Sequence, residues 1–147
     1  MLFRASEFDF KAEAFHQKCD NQEDTIVLIR TELGKTIGGY TRYPWRADGG
    51  WVNDNSRRTF IFSLDMREKF APQESERLIY NSIDCGPIFG GVPLNGWFMY
   101  GIGCDIFIFD GCNKNYLSRS NFPMTYNRAG GGKLGKNEDN YRLFSGE

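Results

Sequence analysis

The sequence has one histidine, His16, only four cysteines and five prolines, and no surplus of either charge: 18 Lys and Arg stand against 19 Asp and Glu in 147 residues. A formal net charge of -1 exerts no general pull on a polyanion, so a nucleic-acid partner is not expected. No apolar run approaches the roughly 20 residues needed to cross a bilayer. The start, Met1-Leu2-Phe3-Arg4-Ala5-Ser6, lacks the basic opening and long apolar stretch of a signal peptide. The expectation is a cytoplasmic protein without membrane insertion. The cysteines Cys19, Cys85, Cys104 and Cys112 are sparse, and no Asn-x-Ser/Thr acceptor occurs, which fits reduced thiols in a reducing compartment. With no Cys-x-x-Cys pair and a single imidazole, four zinc ligands do not assemble, and neither metal nor cofactor is expected.

What is present is aromatic and glycine-rich: 16% of residues are Phe, Trp or Tyr, led by 13 Phe, beside 17 Gly. A chain of this length makes one domain and buries about 68–70% of its unfolded surface, so it can build a core without disulfides. Asp9 to Cys19 reads as a helix with Asp9 as N-cap and Phe8, Phe15 and Cys19 sharing a face. Thr25–Arg30 and Thr36–Tyr43 read as strands of a hairpin with a glycine in the turn. Thr59–Leu64, Pro87–Gly91 and Asp105–Asp110 read as further strands, while Pro44–Ser56 is turn-rich and Glu74–Tyr80 is compatible with helix or strand. Many short strands with one to three short flanking helices give a mainly β (α+β) fold, a sandwich of two antiparallel sheets. Ala129–Asn140 reads as a polar, glycine-rich loop.

Several patterns carry possible chemistry. Gly130-Gly131-Gly132-Lys133-Leu134-Gly135-Lys136 has the spacing of a phosphate-binding loop, but Asn137 stands where the magnesium-binding hydroxyl belongs, and no apolar strand precedes it. A surface loop is the better reading. His16 and Cys19, three apart on the helix, could act as base and thiol nucleophile; a buried thiol beside a structural imidazole is the alternative. Asp105 and Asp110 lie on opposite faces of a strand and read as carboxylates that keep its ends soluble. Gly38-Gly39 and Gly90-Gly91 interrupt apolar strands, which suggests large rings packed over them, with Trp45, Trp51 and Trp97 as the candidates, or a glycine-floored ligand groove. Arg57, Arg58 and Arg119 are the first candidates for a protein interface.

The series Phe15-His16-x-x-Cys19-Asp20, Ile37-Gly38-Gly39-Tyr40, Pro44-Trp45, Phe60-Ile61-Phe62-Ser63-Leu64, Gly86-Pro87-x-Phe89-Gly90-Gly91, Asp105-Ile106-x-Ile108 and Ser118-x-Ser120-Asn121-Phe122-Pro123 resembles the TLDc domain, the module of oxidation-resistance proteins. The resemblance covers nearly the whole chain as a single TLDc-like domain. It implies a two-sheet sandwich, a role in oxidative-stress protection, and binding to the vacuolar proton-pumping ATPase. It implies no cofactor and no catalytic residues. Gly38, Gly39, Tyr40, Trp45, Gly90 and Gly91 form the motif, a packing signature. Family members continue beyond a Phe-x-Ser/Thr-Gly element, here Phe144-Ser145-Gly146, into a final strand, which this sequence is expected to lack. The segment Val92–Gly103 is longer than expected, and its Trp97, Phe98, Met99 and Tyr100 form either a partner-binding tip or an extension of the core.

Three functions follow in order of preference. The first is a non-enzymatic TLDc-type interaction module in oxidative-stress protection or regulation of vacuolar ATPase subunits, with Arg57, Arg58, Trp97, Phe98, Tyr100 and Arg119 as partner-binding residues. The second is a structural subunit of a large intracellular assembly. The third is a thiol-dependent redox enzyme.

Overall fold

Ile37 and Ile61 come from apolar strand runs and Phe70 from the charged stretch 66–72; a strand turns alternate side chains to opposite faces, so pairing the three in register brings these residues to one surface. In the computed structural model they do so: Ile61 pairs with Gly39 and with Phe70, and all three large side chains are at most 1% exposed. The structure describes residues 1–31, 34–73, 75–91, 104–114, 118 and 125–128.

A short 3-10 turn, Ala5–Glu7, precedes helix α1, Ala12–Cys19. Nine strands follow: β1 Thr25–Arg30, β2 Thr36–Thr41, β3 Gly50–Val52, β4 Phe60–Ser63, β5 Glu68–Pro72, β6 Ile79–Asn81, β7 Cys85–Phe89, β8 Ile106–Phe109 and β9 Tyr126–Arg128. They form a five-stranded sheet, ordered β1-β2-β4-β5-β9, and a four-stranded sheet, ordered β3-β6-β7-β8, with antiparallel neighbours throughout. This is the mainly β, two-sheet architecture expected from the sequence. Between the sheets Ile37, Ile61 and Phe70 meet Ile79, Phe89 and Ile106, and Trp45 fills the end near α1. Trp45 is 1% exposed; its indole nitrogen donates to Thr25 Oγ1 at 2.9 Å, and its ring meets Phe15 and Phe89 edge-on.

The helix begins differently from the sequence reading. Asp9 is no N-cap: it lies at φ 52, and α1 starts only at Ala12, after Lys11, which makes no capping bond with its side chain. The cap comes from Asp110 at the end of β8, whose Oδ1 accepts the Ala12 backbone N–H at 2.7 Å. The helix thereby gains both a partner for an orphan donor and a negative charge at the positive end of its dipole. Phe8 leaves the shared face and stacks on Phe3 at the surface, while Phe15, His16 and Cys19 are buried. Beside β5, whose Glu68-Lys69-Phe70-Ala71-Pro72 carries no apolar run, two further strands lie where the sequence showed turns or nothing: β3 within the turn-rich segment and β9. Three residues each are too few for a period of two to stand out. Of the segment read as helix or strand, Ile79 and Tyr80 open β6 and Glu74 lies outside the described residues, and the Thr36–Tyr43 strand ends at Thr41.

Candidate functional site

The paired glycines sit under the protein's own side chains. A Cβ on Gly39 would lie 2.5 Å from the Phe89 ring, one on Gly91 would lie 2.3 Å from the Trp51 ring, and one on Gly38 would lie 2.6 Å from Phe62. Gly90, at φ +67, has the Asp105 carboxylate where a Cβ would go. Phe89 and Phe62 therefore cover the first pair where tryptophans were expected, and only Gly91 lies beneath one. Among the described residues these glycines bring strands and rings together and floor no ligand groove. Asp105 does not serve solubility: it is fully buried, and Oδ2 accepts the Thr125 N–H at 2.7 Å. Asp110 is the helix cap described above.

The thiols are in no state to attack. Burial, with Asp20 adding to it, pushes Cys19 up to about 11, and burial with Asp105 and Cys85 pushes Cys104 up to about 12. Burial also raises Cys85 and Cys112. A thiol held above its ordinary range stays protonated at neutral pH and is a poor nucleophile. His16 is no base for Cys19. Its Nε2 lies 2.8 Å from the Ser82 carbonyl and 3.0 Å from that of Cys85, and its Nδ1 lies 2.7 Å from Asp20 Oδ1. The ring ties α1 to the turn between β6 and β7.

Asp54 organises the loop that carries Arg57 and Arg58. Its carboxylate is fully buried; Oδ1 accepts from Ser56 N–H, the Ser56 hydroxyl and the Tyr43 hydroxyl, and Oδ2 accepts from Arg58 N–H, Thr59 N–H and the Thr59 hydroxyl. Burial pushes this carboxyl up, but the hydrogen bonds from Ser56 and Thr59 together outweigh it and bring it down to about 2. Arg57 is held at φ 52, with its N–H on the Asp54 carbonyl at 3.0 Å, and both arginine side chains project into solvent. The sequence reading missed Asp54. Asp54-Asn55-Ser56 resembles any polar turn, and nothing in it shows that six donors converge on one carboxylate.

Arg58 belongs to a surface centred on Tyr40. The Tyr40 hydroxyl donates to Asp24 at 2.5 Å, which raises it, while Arg42 and Arg58 pull it the other way. The Tyr40 ring stacks on Phe60 at 5.2 Å, Phe60 neighbours Phe62, and the Lys69 ammonium lies 3.8 Å above the Phe60 ring. All lie on the outer face of the five-stranded sheet, opposite Ile37, Ile61 and Phe70. On the same face β1 exposes Ile26 (64%) and Leu28 (66%). A solvated face of an antiparallel sheet is ordinarily polar; this one is apolar and aromatic with a basic rim. The sequence reading took Thr25–Arg30 simply as an apolar strand, and the exposure of its alternate residues went unseen. A second concavity, an open cleft of ≈ 990 Å³ beside the start of α1, is lined by residues including Lys11, Tyr80, Asp84, Phe109 and Asp110.

Trp97, Phe98, Tyr100 and Arg119 lie outside the described residues, as do 92–103, 129–140 with the phosphate-loop-like run, and Phe144–Gly146. Of the interface candidates, the structure places Arg57 and Arg58 on one loop and brings Arg58 to the motif residue Tyr40. No helix among the described residues is long and apolar enough to cross a membrane. No group of three or more His, Cys, Asp or Glu among them could hold a metal.

The sequence model of the TLDc domain matches residues 1–142. The chain belongs to the TLDc family. No curated protein and no solved structure matches it. In this TLDc domain the motif residues are structural in placement: Trp45 and Gly39 lie between the sheets, Gly90 and Gly91 sit under Asp105 and Trp51, and Gly38 and Tyr40 lie on the open outer face.

Proposed function

We propose that this TLDc domain is a non-enzymatic protein-interaction module of the cytoplasm that acts in oxidative-stress protection and in regulating the vacuolar proton-pumping ATPase. The observation that carries this reading is the outer face of the five-stranded sheet, where exposed Ile26 and Leu28 and half-buried Tyr40, Phe60 and Phe62 lie beside Arg58, Arg42 and Lys69. Exposed apolar surface rimmed by charge is the physical signature of a protein docking site. The raised and mostly buried thiols speak for protection that works through a partner and against a thiol nucleophile. A structural-subunit role is the second reading. It draws on β1 being an edge strand that a neighbour could complete.

The test is affinity purification of the tagged chain from its native cell, with mass spectrometry, comparing the unaltered chain with one carrying Arg57→Glu and Arg58→Glu. Recovery of vacuolar ATPase subunits, reduced in the charge-reversed form, is the expected result. A different assembly in fixed stoichiometry would favour the structural subunit. Protection in stressed cells that depends on Cys112 and needs no partner would overturn the module reading.

A further inference from the structure

The two observations that meet at β1 are independent: among the described residues it is the edge of its sheet, and it carries the most exposed apolar side chains of the described strands. Along Thr25–Arg30 exposure alternates. Ile26, Leu28 and Arg30 face solvent, while Val27 and Ile29 pack on the core. The strand has four apolar residues in a row, Ile26-Val27-Leu28-Ile29, no proline and no inward-pointing charge, and only the terminal Arg30 puts a charge on the edge, so little in it keeps the edge from pairing. Inward from the edge the floor is shallow, because Gly38, which pairs with Leu28, has no side chain and Phe62 lies across it. Around that floor stand Arg30, Arg42, Arg58 and Lys69; of the carboxylates beside it, Asp24 is engaged by the Tyr40 hydroxyl and Asp65, at the Arg30 end, by the Thr36 N–H.

From this we propose that β1 is a docking edge for an extended, acidic segment of a partner protein with apolar side chains at alternate positions, which adds to the five-stranded sheet beside Thr25–Arg30. Main-chain hydrogen bonds along the edge supply affinity without regard to sequence. Ile26 and Leu28 select apolar side chains on the outer face, and the basic rim selects carboxylates beside them. A second copy of this chain fits less well, because edge-to-edge pairing would bring the same arginines together from both sides. The proposal rests on the interaction-module reading and names its partner chemistry.

The experiment titrates the full chain with two labelled octapeptides of alternating valine and a charged residue, one with glutamate and one with lysine, and reads fluorescence anisotropy and amide hydrogen exchange. The glutamate peptide should bind, weaken with added salt and slow exchange at Thr25–Arg30. L28E should weaken it by roughly tenfold or more, about 1.4 kcal/mol, with an unchanged melting temperature. Equal binding of both peptides, no binding, or glutamate-peptide binding that L28E leaves intact would each overturn the docking edge. So would a concentration-dependent dimer that L28E dissolves, which would assign the edge to a second copy. The parent reading is judged separately: cellular partners retained by L28E but lost with Arg57→Glu and Arg58→Glu would leave the module standing and sink the docking edge.

Discussion

The two sheets present opposite outcomes on their outward faces. The four-stranded sheet turns Ile88 and Phe107 outward with Cys85, and these are 0%, 2% and 6% exposed. The five-stranded sheet turns Ile26, Leu28, Tyr40, Phe60 and Phe62 outward, and Ile26 and Leu28 keep about two-thirds of their surface in water. Both faces are apolar, yet one is closed off at its centre, with half-buried Tyr80 and Phe109 bordering the open cleft, and the other is left open. Apolar character alone therefore does not distinguish core from binding surface; what distinguishes them is whether the fold removes the residue from water. Buried area is stabilising at about 25 cal/mol per Å², whereas the open face forgoes that gain within the described chain.

The comparison breaks most sharply at Phe107. Phe107→Ala should cost about 3–5 kcal/mol, since it leaves a cavity in a closed cluster, and urea unfolding would read this as a lower midpoint at constant slope. A cost near zero would mean that the outer cluster is not sealed at all. Next comes Asp54, which positions the basic loop beside the open face. Its carboxyl falls from 3.8 to about 2 on folding. A group with a depressed folded value stabilises fully above its unfolded value and loses that contribution as pH falls through the folded one. Stability should therefore drop by about 2 kcal/mol between roughly pH 5 and pH 2 on this group's account, and Asp54→Asn should flatten that part of the pH profile. Asp110→Ala, which uncaps α1 beside the closed sheet, should cost about 1 kcal/mol and speed amide exchange at Ala12. The smallest effect belongs to the open face: Leu28→Ser should change stability by no more than about 0.5 kcal/mol. A large loss there would show that the face contributes to the core after all.

Much of the fold was legible in the sequence because short, β-branched and aromatic runs between turn residues report strands locally. Thr25–Arg30, Thr36–Thr41, Phe60–Ser63 and Ile106–Phe109 emerge within two residues of their expected ends. The candidate site was less visible. Arg57 and Arg58 could be named as exposed cations, but their joint support by Asp54, and the approach of Arg58 to Tyr40, depend on loops closing over distances that no local pattern encodes. The helix start shows the same limit: Asp9 had the right residue type three positions away, yet Asp110, 98 residues along the chain from Ala12, holds the position.

The sequence by itself determined the two-sheet sandwich and its TLDc membership, because strand periodicity and the order of glycine and aromatic motifs are properties of neighbouring residues. Only the tertiary structure decided which apolar outer face is covered at its centre and which is left open to water. A period of two states which side chains share a face, while burial depends on what the rest of the chain lays over that face.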